Sequence, residues 1–87
     1  MSKLDATLAR EIQEHPRANF RVIVRVQGDL ATRRAELQEL GFAIARTLRL
    51  IRGFGATATG ARVQDASELE WIVSIEPDGE MRTMKDP

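Results

Sequence analysis

The 87-residue chain has no cysteine, and that absence excludes a disulfide framework, a thiol nucleophile and a zinc–thiolate site together. Histidine occurs once, at His15. With no cysteine or second histidine to join it, no catalytic triad can be read. Glu11 stands one helical turn before His15, which is half a metal site at most, and no further ligand cluster accompanies it. A solvated histidine at a helix C-terminus, favoured there by the helix dipole, accounts for the residue better. The chain is therefore expected to be non-enzymatic, with no metal and no cofactor.

Aromatic residues make up only 5% of the chain, and much of the 43% apolar content is alanine, so the core should be thin. At this length the chain forms one domain, burying around 60% of its unfolded surface. Thirteen basic and thirteen acidic side chains cancel, which removes the bulk electrostatic case for nucleic acid or an anionic membrane and leaves only local patches. No apolar run approaches the ~20 residues of a membrane span, and the N-terminus lacks the apolar core of a signal peptide. As written the chain is expected to be soluble, either cytoplasmic or cut from a longer precursor.

What is present has a clear order. Leu4, Leu8 and Ile12 form an i, i+4 stripe that predicts a helix from Ser2 to His15, stopped by Pro16. That stripe can dock on its own domain or on a second copy of the chain. FRVIVRV, Phe20 to Val26, alternates as a strand, with Phe20, Val22, Val24 and Val26 on one face and Arg21, Ile23 and Arg25 on the other. Asp29 is a fitting N-cap for a helix ending at Leu40, and Gly41 supplies a left-handed stop. FAIARTLRLI, Phe42 to Ile51, predicts a second strand whose apolar even positions are interrupted by Arg46. GFGATAT forms a small-residue third strand after the Arg52-Gly53 turn. Ala61 to Leu69 is a short helix with Val63 and Ala66 inward, and Trp71 to Glu76 is a fourth strand. The order βαββαβ behind an N-terminal helix defines an α+β, ferredoxin-like sandwich: two helices cover one face of a four-stranded antiparallel sheet and the other face stays open. The parts divide as an N-terminal amphipathic helix (1–17), the sandwich (18–78) and an extended tail (79–87).

Two motifs invite ligand readings. Gly53-x-Gly55-x-x-Ala58 imitates a dinucleotide fingerprint, but it sits in a loop entering a strand, where no helix N-terminus faces a pyrophosphate. RGFGATAT, Arg52 to Thr59, resembles the third-strand signature of RNA-recognition motifs, with Phe54 at the first stacking position of the exposed sheet. The next two positions are Ala56 and Thr59, and the first strand offers Ile23 where an aromatic is needed. RNA binding through Phe54 is thus the alternative reading, and no nucleic-acid partner is expected.

From Phe20 onward the chain resembles the subtilisin propeptides and the free protease inhibitors built on that fold. RVIVRV is similar to the family's opening strand, GFAIARTLRLIRGFGATATG to its middle hairpin, and IVSIEPD, Ile72 to Asp78, to its closing strand. The resemblance covers about three quarters of the chain. It implies an inhibitor of a subtilisin-type serine protease, or an assistant in that protease's folding, secreted with the protease if excised as a propeptide. It implies that the open sheet face packs on two protease helices and that Glu76 and Asp78 cap their N-termini. It further implies that Met81, Arg82, Thr83 and Met84 lie in the substrate cleft as an added strand, with Met84 in the primary pocket and Met81 three residues upstream. A carboxylate suits a helix N-terminus because it meets both the unpaired N–H groups and the positive end of the dipole.

Overall fold

In NFRVIVRV the valines and Phe20 alternate with Asn19, Arg21, Ile23 and Arg25, and a strand built on that period with three polar residues on one side buries the other. A computed structural model describing residues 3–78 places this strand, β1 (Asn19–Val26), between two neighbours in the sheet. Helix α1 (Ala6–Glu14) precedes it, and α2 (Leu30–Glu39), β2 (Ala43–Leu48), a 3₁₀ turn (Arg49–Ile51), β3 (Gly53–Thr59), α3 (Gly60–Ala66) and β4 (Ile72–Pro77) follow. The sheet order is β2-β3-β1-β4, with every strand pairing antiparallel. All three helices contribute to a single core: Leu8 and Ile12 from α1, Leu37 from α2, Val63 and Ala66 from α3. The molecule is an α+β, ferredoxin-like sandwich with an added N-terminal helix, and one sheet face is open. No helix among the described residues is long and apolar enough to cross a membrane.

The helix limits follow from capping chemistry. The Asp29 carboxylate accepts from the Thr32 amide at 2.9 Å and from its hydroxyl at 3.0 Å. The Thr32 amide and then its hydroxyl hold Asp29 below the ordinary carboxylate range. A carboxylate so lowered stabilises the fold at every pH above its unfolded-state value, and that contribution fades as the pH falls through the lowered one. At the other end, Gly41 takes φ 100°, Phe42 N–H donates to Leu37 and Gly41 N–H to Gln38. This paired closure leaves Leu37 and Phe42 together in the core.

Several boundaries differ from expectation, among them the third helix, which runs Gly60–Ala66 rather than Ala61 to Leu69. The first helix starts at Ala6, with Asp5 as its cap, because Lys3 to Asp5 are drawn onto the sheet. Asp5 N–H donates to Ile75, Ile75 N–H donates to Lys3, and Leu4 bridges Ile75 in parallel. Strand β4 is a sheet edge, and the outward N–H and C=O of Ile75 are satisfied by this segment. The second strand ends at Leu48 and turns through Arg49–Ile51. Its register shifts between Ile44 and Arg46, so the even-numbered stripe breaks: Phe42 is buried and Leu50 is fully exposed. The fourth strand runs to Pro77, opposite Val22, which an edge position tolerates.

The N-terminal helix is part of the core. Leu4, Leu8 and Ile12 are 6%, 0% and 2% exposed, so the stripe docks on its own domain. Close approach to α3 depends on Gly60, where a Cβ would lie 3.1 Å from Ile12 and 3.2 Å from both the His15 carbonyl and the Phe20 ring. Trp71 closes the far end of the domain, with the Arg33 guanidinium 4.6 Å above its ring. Truncating Leu8 to alanine should lower unfolding free energy by about 2–5 kcal/mol, read as a lower urea midpoint. An unchanged midpoint would mean that α1 is not integral to the core.

Candidate functional site

Pairing fixes which side chains stand on the open face. The row through Val24 is buried and contains Phe54 on β3 and Ile75 on β4. The adjacent row therefore points outward: Arg46, Gly55, Ile23 and Glu76 across β2, β3, β1 and β4. The next outward row toward the β2–β3 turn is Leu48, Gly53, Arg25 and Ser74. The floor of this face is low, because both β3 positions are glycine.

Asp78 follows β4 directly, and its amide donates to the Arg21 carbonyl at 3.1 Å. Its carboxylate accepts from the Arg46 guanidinium at 3.3 and 3.5 Å. Arg46 belongs to the opposite edge strand, so its side chain must cross the open face to get there. Gly55 makes this possible: a Cβ at that position would sit 3.2 Å from Cγ of Arg46. Glu76, two residues before Asp78, is on the same side and half-buried. Two residues on one side of a strand are about 7 Å apart along the chain at ~3.3 Å per residue.

Two of the six expected site residues, Glu76 and Asp78, fall among the described residues. Glu76 and Asp78 are brought together at one end of the open face. Met81, Arg82, Thr83 and Met84 lie outside the described residues. Phe54 corrects the expectation on which the RNA reading rested: it is 0% exposed and faces the helices, because its partner across the ladder is the buried Val24. Ala56 is buried beside it, and the outward positions of β3 are Gly53, Gly55, Thr57 and Thr59, none of which can stack on a base. Among the described residues no group of three or more histidine and acidic side chains could hold a metal ion. Arg46 was not singled out by its sequence. A charged residue interrupting an apolar alternation, opposite a glycine-rich strand, was the available signal.

No protein-family model matches the chain, nor does a curated protein or a solved structure. The likeness to subtilisin propeptides accordingly rests on the order and spacing of its strand motifs.

The Arg46–Asp78 pair is a weak tether. Its separations exceed the 2.7–2.9 Å of a strong charge-assisted bond, and the Arg46 side chain is 50% exposed against 14% for Asp78. A double-mutant cycle with Arg46→Gln and Asp78→Asn should give a coupling of roughly 0.2–1 kcal/mol, smaller still in high salt. A larger, salt-insensitive coupling would show instead that the pair fastens β2 to β4.

Proposed function

We propose that the chain is a non-enzymatic binding module that inhibits a subtilisin-type serine protease or, as its propeptide, assists its folding. The observation that carries this reading is the placement of Glu76 and Asp78. Both carboxylates occupy one side of the chain, at the end of the open sheet face, where β4 leads into residues 79–87. Two protease helices packed across the low glycine floor would present their N-termini to these acids. The tail would then enter the substrate cleft, with Met81 and Met84 as unbranched side chains able to fill irregular apolar pockets.

Asp78 must exchange Arg46 for a helix end in such a complex. An exposed ion pair contributes about 0.2–1 kcal/mol, and a carboxylate at a helix N-terminus about 0.3–2 kcal/mol. The exchange is thus neutral to favourable. RNA binding has lost the residue it relied on, and no observation on the open face replaces Phe54.

Inhibition of subtilisin by the full chain tests the reading. Replacing Glu76 and Asp78 together by alanine should weaken inhibition by about one to two decades, from the cap energies at about 1.4 kcal/mol per decade, while the far-ultraviolet circular dichroism is unchanged. A folded double variant with the parent's inhibition constant would exclude capping.

A chain ending at Asp78 should keep the parent's stability, since it retains every core residue found among the described residues, but lose most inhibition. Met84→Asp should be nearly as damaging, because it would place an unpaired charge in an apolar pocket. Full inhibition by the shortened chain would assign binding to the sheet face alone.

A further inference from the structure

At the end of the sheet away from Glu76 and Asp78, α2 overhangs the β2–β3 connection and leaves a depression of about 510 Å³. This volume falls within the ~300–1,000 Å³ usual for small-molecule sites. Three arginines line it: Arg34 from α2, Arg49 from the 3₁₀ turn, and Arg52 from the residue before β3. No carboxylate is among the lining residues. The nearest in sequence, Asp29, is held by the Thr32 amide and hydroxyl. Among the described residues, the side chains of Arg34, Arg49 and Arg52 make no hydrogen bond or ion pair, as is also true of Arg10, Arg17, Arg21 and Arg25, so what sets the three apart is that they converge on one concavity. Thr47 adds a hydroxyl, and Leu30 and Ala31 supply apolar wall, with the buried Phe54 beneath them.

Backbone conformation adds an independent observation. Arg52 has φ 54°, the left-handed region, and is the one described non-glycine residue there. Glycine or asparagine would occupy that position at less cost, glycine having no Cβ to clash there and asparagine a short polar side chain that can hydrogen-bond locally. The strained residue is also one of the three cations, so its side chain offers a reason for its presence at a position glycine would fill more cheaply.

We propose that this depression binds a phosphate group carried on an organic molecule. Three guanidiniums in one concavity suit a ligand with more than one negative charge and several acceptor oxygens, which a phosphate provides and a single carboxylate does not. The apolar wall then takes the organic part. Leu50, between Arg49 and Arg52, is fully exposed, so the phosphate comes either from a soluble molecule or from a lipid headgroup with Leu50 in the interface. The site is separate from the open face and does not depend on protease binding.

Titration of the full chain with pyrophosphate and with ATP, followed by backbone amide shifts, tests the soluble source. Saturable binding is expected, with the largest shifts at Leu30, Ala31, Thr47 and Arg49 to Arg52. Arg49→Ala and Arg52→Gly should each weaken it about tenfold or more. Arg52→Gly also removes the left-handed strain, so it should fold at least as well as the parent. Arg25→Ala, on the open face, should leave binding unchanged. Sedimentation with phosphatidylcholine vesicles, with and without phosphatidic acid, tests the lipid source. Binding that needs phosphatidic acid and is lost in Leu50→Ser as well as in Arg49→Ala supports the site with a headgroup ligand. Pyrophosphate or ATP binding indifferent to Leu50→Ser supports it with a soluble one. The proposal is overturned if pyrophosphate, ATP and vesicles all fail to bind saturably, or if binding survives both arginine variants. It is equally overturned if single-stranded RNA binds more tightly than ATP and shifts the open face instead.

Discussion

Everything on the surface of this domain depends on the register at Val24. That residue sits in the central strand, fully buried, with Phe54 opposite on one side and Ile75 on the other. Side chains in a strand alternate with a period of two, so fixing this row inward fixes the next row outward. A slip of one residue would carry Phe54 to the open face and Glu76 into the core. Burying that carboxylate without a partner would cost several kcal/mol, and exposing Phe54 would forfeit about 1.5–3 kcal/mol of burial. The open face carries Glu76 because the valines of β1 demand the other side.

The elements whose sequences contain contrast were legible. β1 declares its buried face, since Arg21 and Arg25 share the side opposite its valines, and α2 declares both ends through Asp29 and Gly41. The third strand carries no such contrast. GFGATAT has small residues on both sides, so its own pattern leaves open which way Phe54 points, and only pairing with β1 decides it. The bulge in β2 is hidden for a related reason: FAIARTLRLI is apolar at nearly every even position, and one extra residue at the ladder silently exchanges the faces beyond it. The N-terminal start was misplaced because Leu4 fits the helical stripe and is buried in either conformation. What decided its strand-like role was the unpaired edge of β4, which is distant in sequence. The placement of Glu76 and Asp78 together was legible from IEPD; the arginine that reaches them from the far edge was not.

A thin core shapes the rest of the architecture. Small domains bury a modest share of their surface, and this one has few aromatic side chains with which to do it. The N-terminal segment supplies Leu4, Leu8 and Ile12 to the core while its backbone closes the β4 edge. One stretch of chain thereby adds apolar burial and removes an edge that would invite association. A glycine at position 60 permits α1 and α3 to approach closely enough for this to work.

A net charge of zero leaves room for local groupings of charge. Arg34, Arg49 and Arg52 gather at the end of the sheet where β2 turns into β3, and Glu76 and Asp78 stand at the end where β4 finishes. Arg46 is the link between them, because the absence of a side chain at Gly55 lets it lie across the face. On the proposed function this arginine competes with the partner. Paired with Asp78, it lowers the negative potential that a helix N-terminus would seek. Released, it leaves a cation near two positive helix ends unless it swings clear toward solvent, which its half-exposed side chain can do. The competing pair contributes at most about 1 kcal/mol, less than one decade of affinity at about 1.4 kcal/mol. Arg46 is thus too weak to block docking. It is strong enough to give Asp78 a partner in the free protein, and so to keep the carboxylate oriented across the face that a partner would cover.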